Sequence, residues 1–203
     1  MSWKNFVLPL VLLALWGLQE EGAQACTCLP KHPQQTFCEN NVVVIQAKVV
    51  GVEPGNSTLG GLTKYSIKHM RTFKGAEKHY HTIYTAPDIA ACGVVLTKDT
   101  KYLLMGRLQP DGSLRVSSCD YIRPWESMSS SQRFLMYRYG YGCDCTIKSC
   151  FSYPCCMAGP KECVWTDLLP GKLNKLDQAR NYACVKTSDD SCDWNMPIVL
   201  DNE

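Results

Sequence analysis

The stretch Val42-Val43-Val44-Ile45-Gln46-Ala47-Lys48-Val49-Val50-Gly51-Val52 is rich in β-branched residues and contains no proline, so it predicts a long β-strand. Four further segments have strand composition, at residues 65–68, 80–85, 102–108 and 114–117. Between the last two lies Pro110-Asp111-Gly112, a sequence typical of a hairpin turn. Five short strands joined by turns predict a small barrel or sandwich.

Residues 129–139 change to a helical period. Phe134, Leu135 and Arg138 can share helix faces, a serine run offers an N-cap, and Gly140 is expected to end the helix. One helix beside a five-stranded sheet is compatible with an OB-type barrel. We therefore predict a mainly β chain, with an OB-fold five-stranded barrel and associated helices over residues 26–143.

The composition shifts after Tyr141, because eight of the 13 cysteines fall within residues 143–192. This second region is too small for a large hydrophobic core and must depend on disulfide bridges. We expect a disulfide-rich C-terminal domain over residues 144–203.

The first 25 residues have the form of a secretory signal peptide. Lys4 precedes an apolar run too short to span a bilayer, and Ala23-Gln24-Ala25 places small residues at the cleavage site. All 13 cysteines follow this site, which in an oxidising compartment indicates a disulfide framework with one sulfur left over. No later segment is apolar enough to anchor the chain, so we expect a secreted, extracellular protein.

Other features narrow the function. A formal net charge of +2 does not favour a nucleic-acid partner, and no motif for phosphate binding or hydrolytic catalysis is present, so an enzymatic role has no support. Asn56-Ser57-Thr58 predicts N-glycosylation at Asn56. His79 and His81 could share one strand face, but two histidines without a third ligand do not predict a metal site.

Cleavage after Ala25 would start the mature chain at Cys26-Thr27-Cys28. The free amine and the carbonyl oxygen of Cys26 would then be close enough to chelate a metal ion held by another protein. The residues alone leave a second interpretation open, in which Cys26 and Cys28 are structural half-cystines only.

Several motifs of the chain resemble those of one known family, the tissue inhibitors of metalloproteinases. They cover essentially all of the mature chain: Cys26-x-Cys28, Pro30-x-His32-Pro33-Gln34-Gln35, Cys38, Phe73-Lys74-Gly75, Tyr84-Thr85-Ala86-Pro87, Cys92-Gly93-Val94, Cys119-Asp120-Tyr121-Ile122-x-Pro124-Trp125 and Glu162-Cys163-x-Trp165-Thr166-Asp167. The combined cysteine spacing and opening motif are specific, whereas each short motif alone would be weak.

The resemblance implies an inhibitor of zinc endopeptidases of the matrix metalloproteinase type, with no cofactor of its own and with the target's zinc bound through Cys26. It implies that Thr27 enters the main specificity pocket of the protease. Flanking contacts would come from Cys28, Leu29, Pro30, Ala90, Ala91 and Cys92. The implied bridges are Cys26–Cys92, Cys28–Cys119, Cys38–Cys143, Cys145–Cys192, Cys150–Cys155 and Cys163–Cys184.

The chain departs from the family pattern at a few positions. Cys156 is the odd sulfur, Gln46 stands where arginine is common, and Tyr-Arg-Gly is missing after Trp194. The resemblance therefore does not predict the partner contacts that relatives make through the C-terminal domain, whereas none of these changes falls on residues 26–30 or 90–92. Partners expected are matrix metalloproteinases, related zinc endopeptidases and the extracellular matrix, for a monomer without a membrane span.

Two other classes of function remain as alternatives. One is a netrin-type OB module that binds matrix or receptors without inhibiting a protease. The other is a cytokine-like ligand that signals independently of proteases. Neither alternative requires a cysteine at the mature N-terminus.

Overall fold

The computed structural model describes residues 26–56, 60–173 and 175–196. The expected signal peptide lies outside the described residues, as do Ser57 and Thr58 of the glycosylation motif and residues 197–203. Across the described ranges, no helix has the length and apolar character needed to cross a bilayer.

Five strands close into a barrel, which confirms the predicted fold class. Strand β1 pairs antiparallel with both β2 and β4, β2 pairs with β3, and β4 pairs with β5, while β3 and β5 run parallel. A short sixth strand, β6, extends the sheet from β4 and was not predicted. The strands are β1 (Val42–Glu53), β2 (Thr63–Lys74), β3 (Thr82–Thr85), β4 (Lys101–Leu108), β5 (Leu114–Arg115) and β6 (Ile122–Pro124).

Strand β1 is apolar at consecutive positions because both of its faces are covered. Val43, Ile45 and Ala47 belong to the cluster that fills the barrel interior. Val42 and Val44 point the other way, into a second cluster under the helices. A strand buried on both faces does not alternate between apolar and polar residues, which explains the run quoted above.

Helix α1 (Pro33–Cys38) and helix α2 (Ser130–Arg138) cover the outer face of β1. Helix α2 begins at the serine run as predicted, because Ser129 Oγ accepts from Gln132 N at 3.2 Å. It ends at Arg138, two residues before Gly140, and a 3₁₀ turn continues over Tyr139–Gly142. Helix α1 was not predicted.

The C-terminal region is small and disulfide-rich, as expected. It contains a parallel pair, β7 (Thr146–Ser149) with β8 (Glu162–Trp165), and an antiparallel pair, β9 (Ala183–Lys186) with β10 (Cys192–Asn195). A short helix, α3 (Asp177–Asn181), precedes β9. Among the described residues of this region, one small hydrophobic cluster contains the buried residues Ile147, Cys163, Trp165, Leu168 and Cys184.

The C-terminal region packs directly against the barrel side. Ala183 and Val185 of β9 join the cluster under α1 and α2. No disulfide of the described residues links the segment before residue 144 to the segment after it. The contact between the two parts therefore depends on packing and hydrogen bonds.

Candidate functional site

An exposed ridge is formed by residues 26–30 and 90–92, and we call it the cystine ridge. Two disulfides hold it: Cys26–Cys92, with a Cα–Cα distance of 5.0 Å, and Cys28–Cys119, with 5.3 Å. The bonded residues are 66 and 91 positions apart in sequence. The structure thus brings the segment with Cys26 and Cys28 next to the segments with Cys92 and Cys119.

The two disulfides lie in contact. Cys26 Sγ is 3.9 Å from Cys28 Sγ and 3.7 Å from Cys119 Sγ. These sulfurs are close enough to resemble a metal-ligating cluster. All of them are consumed in covalent S–S bonds, however, and a metal-ligating cysteine must be a thiolate. The atoms of Cys26 that remain able to bind a metal ion are therefore its backbone nitrogen and carbonyl oxygen.

The second segment of the cystine ridge is a tight turn fixed by its own backbone. Cys92 N donates to Ile89 O at 3.0 Å, Gly93 N to Asp88 O at 2.8 Å, and Ala91 N to Asp88 Oδ1 at 2.8 Å. Cys92 has a φ of 64°, which is uncommon for a residue with a side chain. The turn and its disulfide hold this strained conformation in place.

Gly93 is required by the same turn. A Cβ at this position would lie 2.4 Å from Ala86 O and 2.5 Å from Asp88 O. Neither atom is the end of a flexible side chain, so a larger residue would have to shift the backbone. Gly93 belongs to one of the motifs that carry the family resemblance, but the sequence alone does not reveal this steric requirement.

The third chain segment at the ridge carries Cys119. Ser118 N donates to Cys92 O at 2.9 Å, which ties this segment to the turn above. Asp120 Oδ2 accepts from Ser117 N and Ser117 Oγ at 2.8 and 2.9 Å. Three segments distant in sequence are thereby joined by both covalent and hydrogen bonds.

An ion pair between a buried carboxylate and a half-buried arginine supports this segment. The Asp120 side chain is 2% exposed, and its Oδ1 lies 3.2 Å from Arg107 Nε. Arg107 also pairs with Glu39, just after α1. Burial alone would raise the pKa of Glu39, but hydrogen bonds from Arg107 and Lys31 outweigh it and lower the pKa. Glu39 is consequently charged at neutral pH and keeps Arg107 in position.

The ridge exposes apolar surface. Leu29 is 84% exposed, and Ile89, beside the ridge, is 68% exposed. Thr27, Cys28, Pro30, Ala90 and Ala91 are exposed as well, while Cys26 is half-buried. A monomer gains nothing by exposing such side chains together, so they are typical of a surface that binds another protein. Sequence reasoning missed Ile89, although it directly precedes Ala90.

Behind the ridge, His32 anchors the first segment. Its Nδ1 accepts from Gln34 N at 3.3 Å, which caps α1, and its Nε2 donates to Gln178 O at 3.3 Å. The ring is fully buried against Trp165 and Trp194, with centroids 5.5 and 5.1 Å away. Burial lowers its pKa to about 4, so it is neutral at physiological pH.

The four remaining disulfides join Cys38–Cys143, Cys145–Cys192, Cys150–Cys155 and Cys163–Cys184. With the two at the ridge, these are the pairs that the family resemblance implies. Cys156 is free and exposed. Its carbonyl oxygen accepts from Lys148 Nζ at 3.0 Å.

Two further sequence features have a defined environment. Asn56 is exposed. His79 has a neighbour that the sequence did not indicate, since the His69 ring centroid lies 5.2 Å from its own. Both His69 nitrogens are engaged, Nδ1 by Tyr80 N and Nε2 by Thr72 Oγ1, so His69 does not provide a third free ligand.

Comparison with known proteins is consistent with this architecture. The family model described as tissue inhibitor of metalloproteinase matches residues 24–194. Metalloproteinase inhibitor 2 of Cavia porcellus is 44% identical over 191 residues, which cover 90% of this chain and 86% of the relative. The inhibitor 2 of Homo sapiens is 44% identical over 181 residues (85% and 82%), and that of Canis lupus familiaris 44% over 200 residues (94% and 90%).

The barrel, the small cystine-rich region and the N-terminal ridge held by two disulfides define a class of disulfide-linked β-barrel proteins. The extent of the family match makes the assignment specific: this chain belongs to the tissue inhibitor of metalloproteinase family.

Proposed function

We propose that this protein is a secreted inhibitor of zinc metalloendopeptidases of the matrix metalloproteinase type, and that it binds the catalytic zinc of its target through the amine and carbonyl oxygen of Cys26. The observation that carries the proposal is the cystine ridge, an exposed edge clamped by two adjacent disulfides in a chain of this family. The relatives compared above are themselves named metalloproteinase inhibitors.

The chemistry follows from the target. A catalytic zinc has three protein ligands and an open position that holds the attacking water. Removal of residues 1–25 gives Cys26 an α-amine, whose ordinary pKa is about 8, so it loses its proton to zinc at modest cost. The carbonyl oxygen of the same residue closes a chelate ring, and the hydrolytic water is displaced.

Rigidity makes this binding strong. Cys26 is held to Cys92 and Cys28 to Cys119, so the ridge has little conformational entropy left to lose when it docks. The disulfides therefore have a functional role beyond stability.

The neighbouring residues supply contacts along the cleft. Thr27 follows the chelating residue and enters the specificity pocket, and its small side chain favours breadth over selectivity. Leu29, Pro30, Ala90 and Ala91 flank it as an exposed wedge. The protein is an inhibitor rather than an enzyme, and matrix metalloproteinases and related zinc endopeptidases are its partners.

The remaining proposals concern processing and organisation. Cleavage after Ala25 yields an extracellular protein with an inhibitory domain at residues 26–143 and a second domain at residues 144–203. Asn56 is exposed and is the proposed glycosylation site. The protein acts as a monomer, and the extracellular matrix is a further candidate partner.

The decisive test is titration of a purified matrix metalloproteinase catalytic domain with natively processed protein whose N-terminal sequence has been determined. We expect stoichiometric loss of peptidase activity. With a cobalt-substituted catalytic domain, the visible spectrum should change as water is replaced by an amine and a carbonyl oxygen. An unchanged spectrum alongside full inhibition would reject chelation but not inhibition, while undiminished activity would reject the proposed function itself.

A further inference from the structure

A cavity lies at the junction between the barrel and the C-terminal region, and none of its lining residues belongs to the cystine ridge. Its volume is about 410 Å³. It is bordered by β6, the start of α2 and the residues of α3. Small-ligand sites often occur where two such units meet, and this volume falls within their ordinary range.

The walls of this junction cavity carry positive charge from both sides. Arg123 extends from β6 and Arg180 from α3, and no acidic residue lines the cavity. Within the described ranges, neither guanidinium lies within 4.0 Å of a carboxylate oxygen. The junction therefore brings two cations together without a described counter-ion.

Acidic groups on the neighbouring elements have other partners. Asp177, at the start of α3, accepts from Asn181 Nδ2 at 2.8 Å. Glu126, beside β6, pairs with Lys101 at 3.4 Å and with Arg133 at 3.8 Å. These carboxylates do not neutralise the cavity.

Tyr121 lies near both arginines. Arg123 Cζ lies 5.5 Å from the Tyr121 ring centroid. Burial raises the pKa of Tyr121, and the nearby charges of Arg123 and Arg180 act against this rise. Arg123 and Arg180 therefore lie near the same phenol, one on each side of the junction.

The remaining lining has a polar edge and an apolar wall. Gln132 uses its Oε1 to accept from Ser129 N, which leaves its amide N–H groups available as donors. Pro33, Met128 and Leu176 supply apolar surface. A ligand suited to this cavity combines an anionic group with a compact body that has nonpolar C–H surface.

We propose that the junction cavity binds a sulfate group carried by a sulfated monosaccharide. Guanidinium groups bind tetrahedral oxyanions through paired N–H···O bonds, and two of them suit a sulfate ester better than a single carboxylate. The cavity is much larger than a bare sulfate ion, so the sugar ring occupies the space beside the apolar wall. The site is independent of the zinc-binding edge and does not rest on the proposed inhibition.

Binding can be measured by isothermal titration calorimetry with N-acetylglucosamine 6-sulfate on the full processed protein, with sodium chloride at matched ionic strength as the blank. Inorganic sulfate and unsulfated N-acetylglucosamine form the comparison arms. We expect saturable one-to-one binding of the sulfated sugar, weaker binding of inorganic sulfate and none of the neutral sugar. Equal affinity for both sulfate-bearing ligands would overturn the sugar assignment.

The residues are tested with Arg123→Gln and Arg180→Gln, against the exposed Arg115→Gln on β5 as a control for lost charge. Each junction variant should lose about tenfold in affinity, as expected for one charge-assisted contact, and the control should bind as wild type. Because all three arginines are exposed, we expect the variants to fold as wild type does. Thermal unfolding checks this expectation. Wild-type affinity in both junction variants, or an equal loss in the control, would overturn the proposal.

Discussion

Gln34 of α1 and Cys184 of β9 are 150 residues apart in sequence and exchange two hydrogen bonds across the junction. Cys184 N donates to Gln34 Oε1 at 2.8 Å, and Gln34 Nε2 donates to Cys184 O at 2.6 Å. Gln34 is 1% exposed, so a single side-chain amide satisfies the backbone of a buried strand residue. Gly142 makes this approach feasible, because a Cβ there would lie 1.7 Å from Cys184 O.

Replacing this amide should destabilise the protein. Gln34→Leu leaves the buried N–H and C=O of Cys184 without partners, and we expect a loss of about 2–4 kcal/mol in the free energy of unfolding. Denaturant unfolding measures the loss. The control is Gln109→Leu, which removes a longer bond of 3.3 Å to Arg107 O at a half-buried site. A similarly small decrease in the free energy of unfolding in the two variants would show that the hydrogen bonds between Gln34 and Cys184 contribute little to stability.

Extending the mature chain by one alanine before Cys26 should abolish inhibition. The added residue converts the α-amine into an amide, which is a poor zinc ligand, and blocks close approach. Loss of a metal contact worth several kcal/mol corresponds to about a thousandfold weaker inhibition or more. Inhibition constants and circular dichroism should be measured together. An extended protein that is folded and inhibits as well as the processed form would contradict zinc binding by Cys26.

Thr27→Gly should weaken inhibition by about tenfold or more, because the side chain proposed to enter the specificity pocket is removed. Thr27→Val keeps the shape without the hydroxyl and serves as the matched control. Inhibition constants against several matrix metalloproteinases provide the measurement. If the glycine variant matches wild type against all of them, Thr27 does not occupy the pocket.

Gly93→Ala should distort the turn at residues 88–92, since the added Cβ meets two backbone carbonyl oxygens. We expect about 2 kcal/mol of destabilisation and weaker inhibition. Gly159→Ala is the matched control, because a Cβ at Gly159 would have no neighbour within 4 Å. The prediction fails if both variants show the same melting temperature and the same inhibition constant.

Stability should fall on acidification through His32. Its folded-state pKa of about 4 lies below the ordinary value of 6.5, so between these values the unfolded chain binds a proton that the folded protein does not. The free energy of unfolding therefore decreases as pH drops from about 6.5 to about 4, by about 3 kcal/mol in total. Denaturant unfolding at several pH values provides the measurement.

The matched variant is His32→Asn, whose side-chain oxygen can still accept from Gln34 N. This variant should be less stable at pH 7, because it loses the aromatic contacts, yet its stability should depend less on pH across the same window. A variant with the same acid slope as wild type would show that other groups cause the decline.

The sequence predicts the barrel well, because its evidence is local. The β-branched run at Val42 and the serine cap at Ser129 are recognised within one element each. Helix α1 was missed because its N-cap is His32, which is not a usual capping residue. The burial of His32 between Trp165 and Trp194 depends on contacts more than 130 residues away, and no local pattern records them.

The candidate site also has features that the sequence predicts and features that only the fold reveals. The cysteines and the exposed residues Thr27 and Leu29 could be named from motifs. The steric need for Gly93 and the support of Asp120 by Arg107 could not, because they depend on where a turn and a strand meet in space. The placement of Arg123 and Arg180 in one cavity likewise depends on the folded position of α3 relative to β6.

In the proposed mechanism, the two disulfides of the cystine ridge also determine when a newly made molecule can inhibit its target. The Cys26–Cys92 and Cys28–Cys119 bonds fix residues 26–30 of the ridge to chain regions that lie 66 and 91 residues further along the sequence. In a molecule whose barrel forms before both bonds close, residues 26–30 would not yet be covalently fixed to Cys92 and Cys119. In the proposed mechanism, formation of both disulfides, as well as removal of residues 1–25, is therefore required before the protein can inhibit a protease.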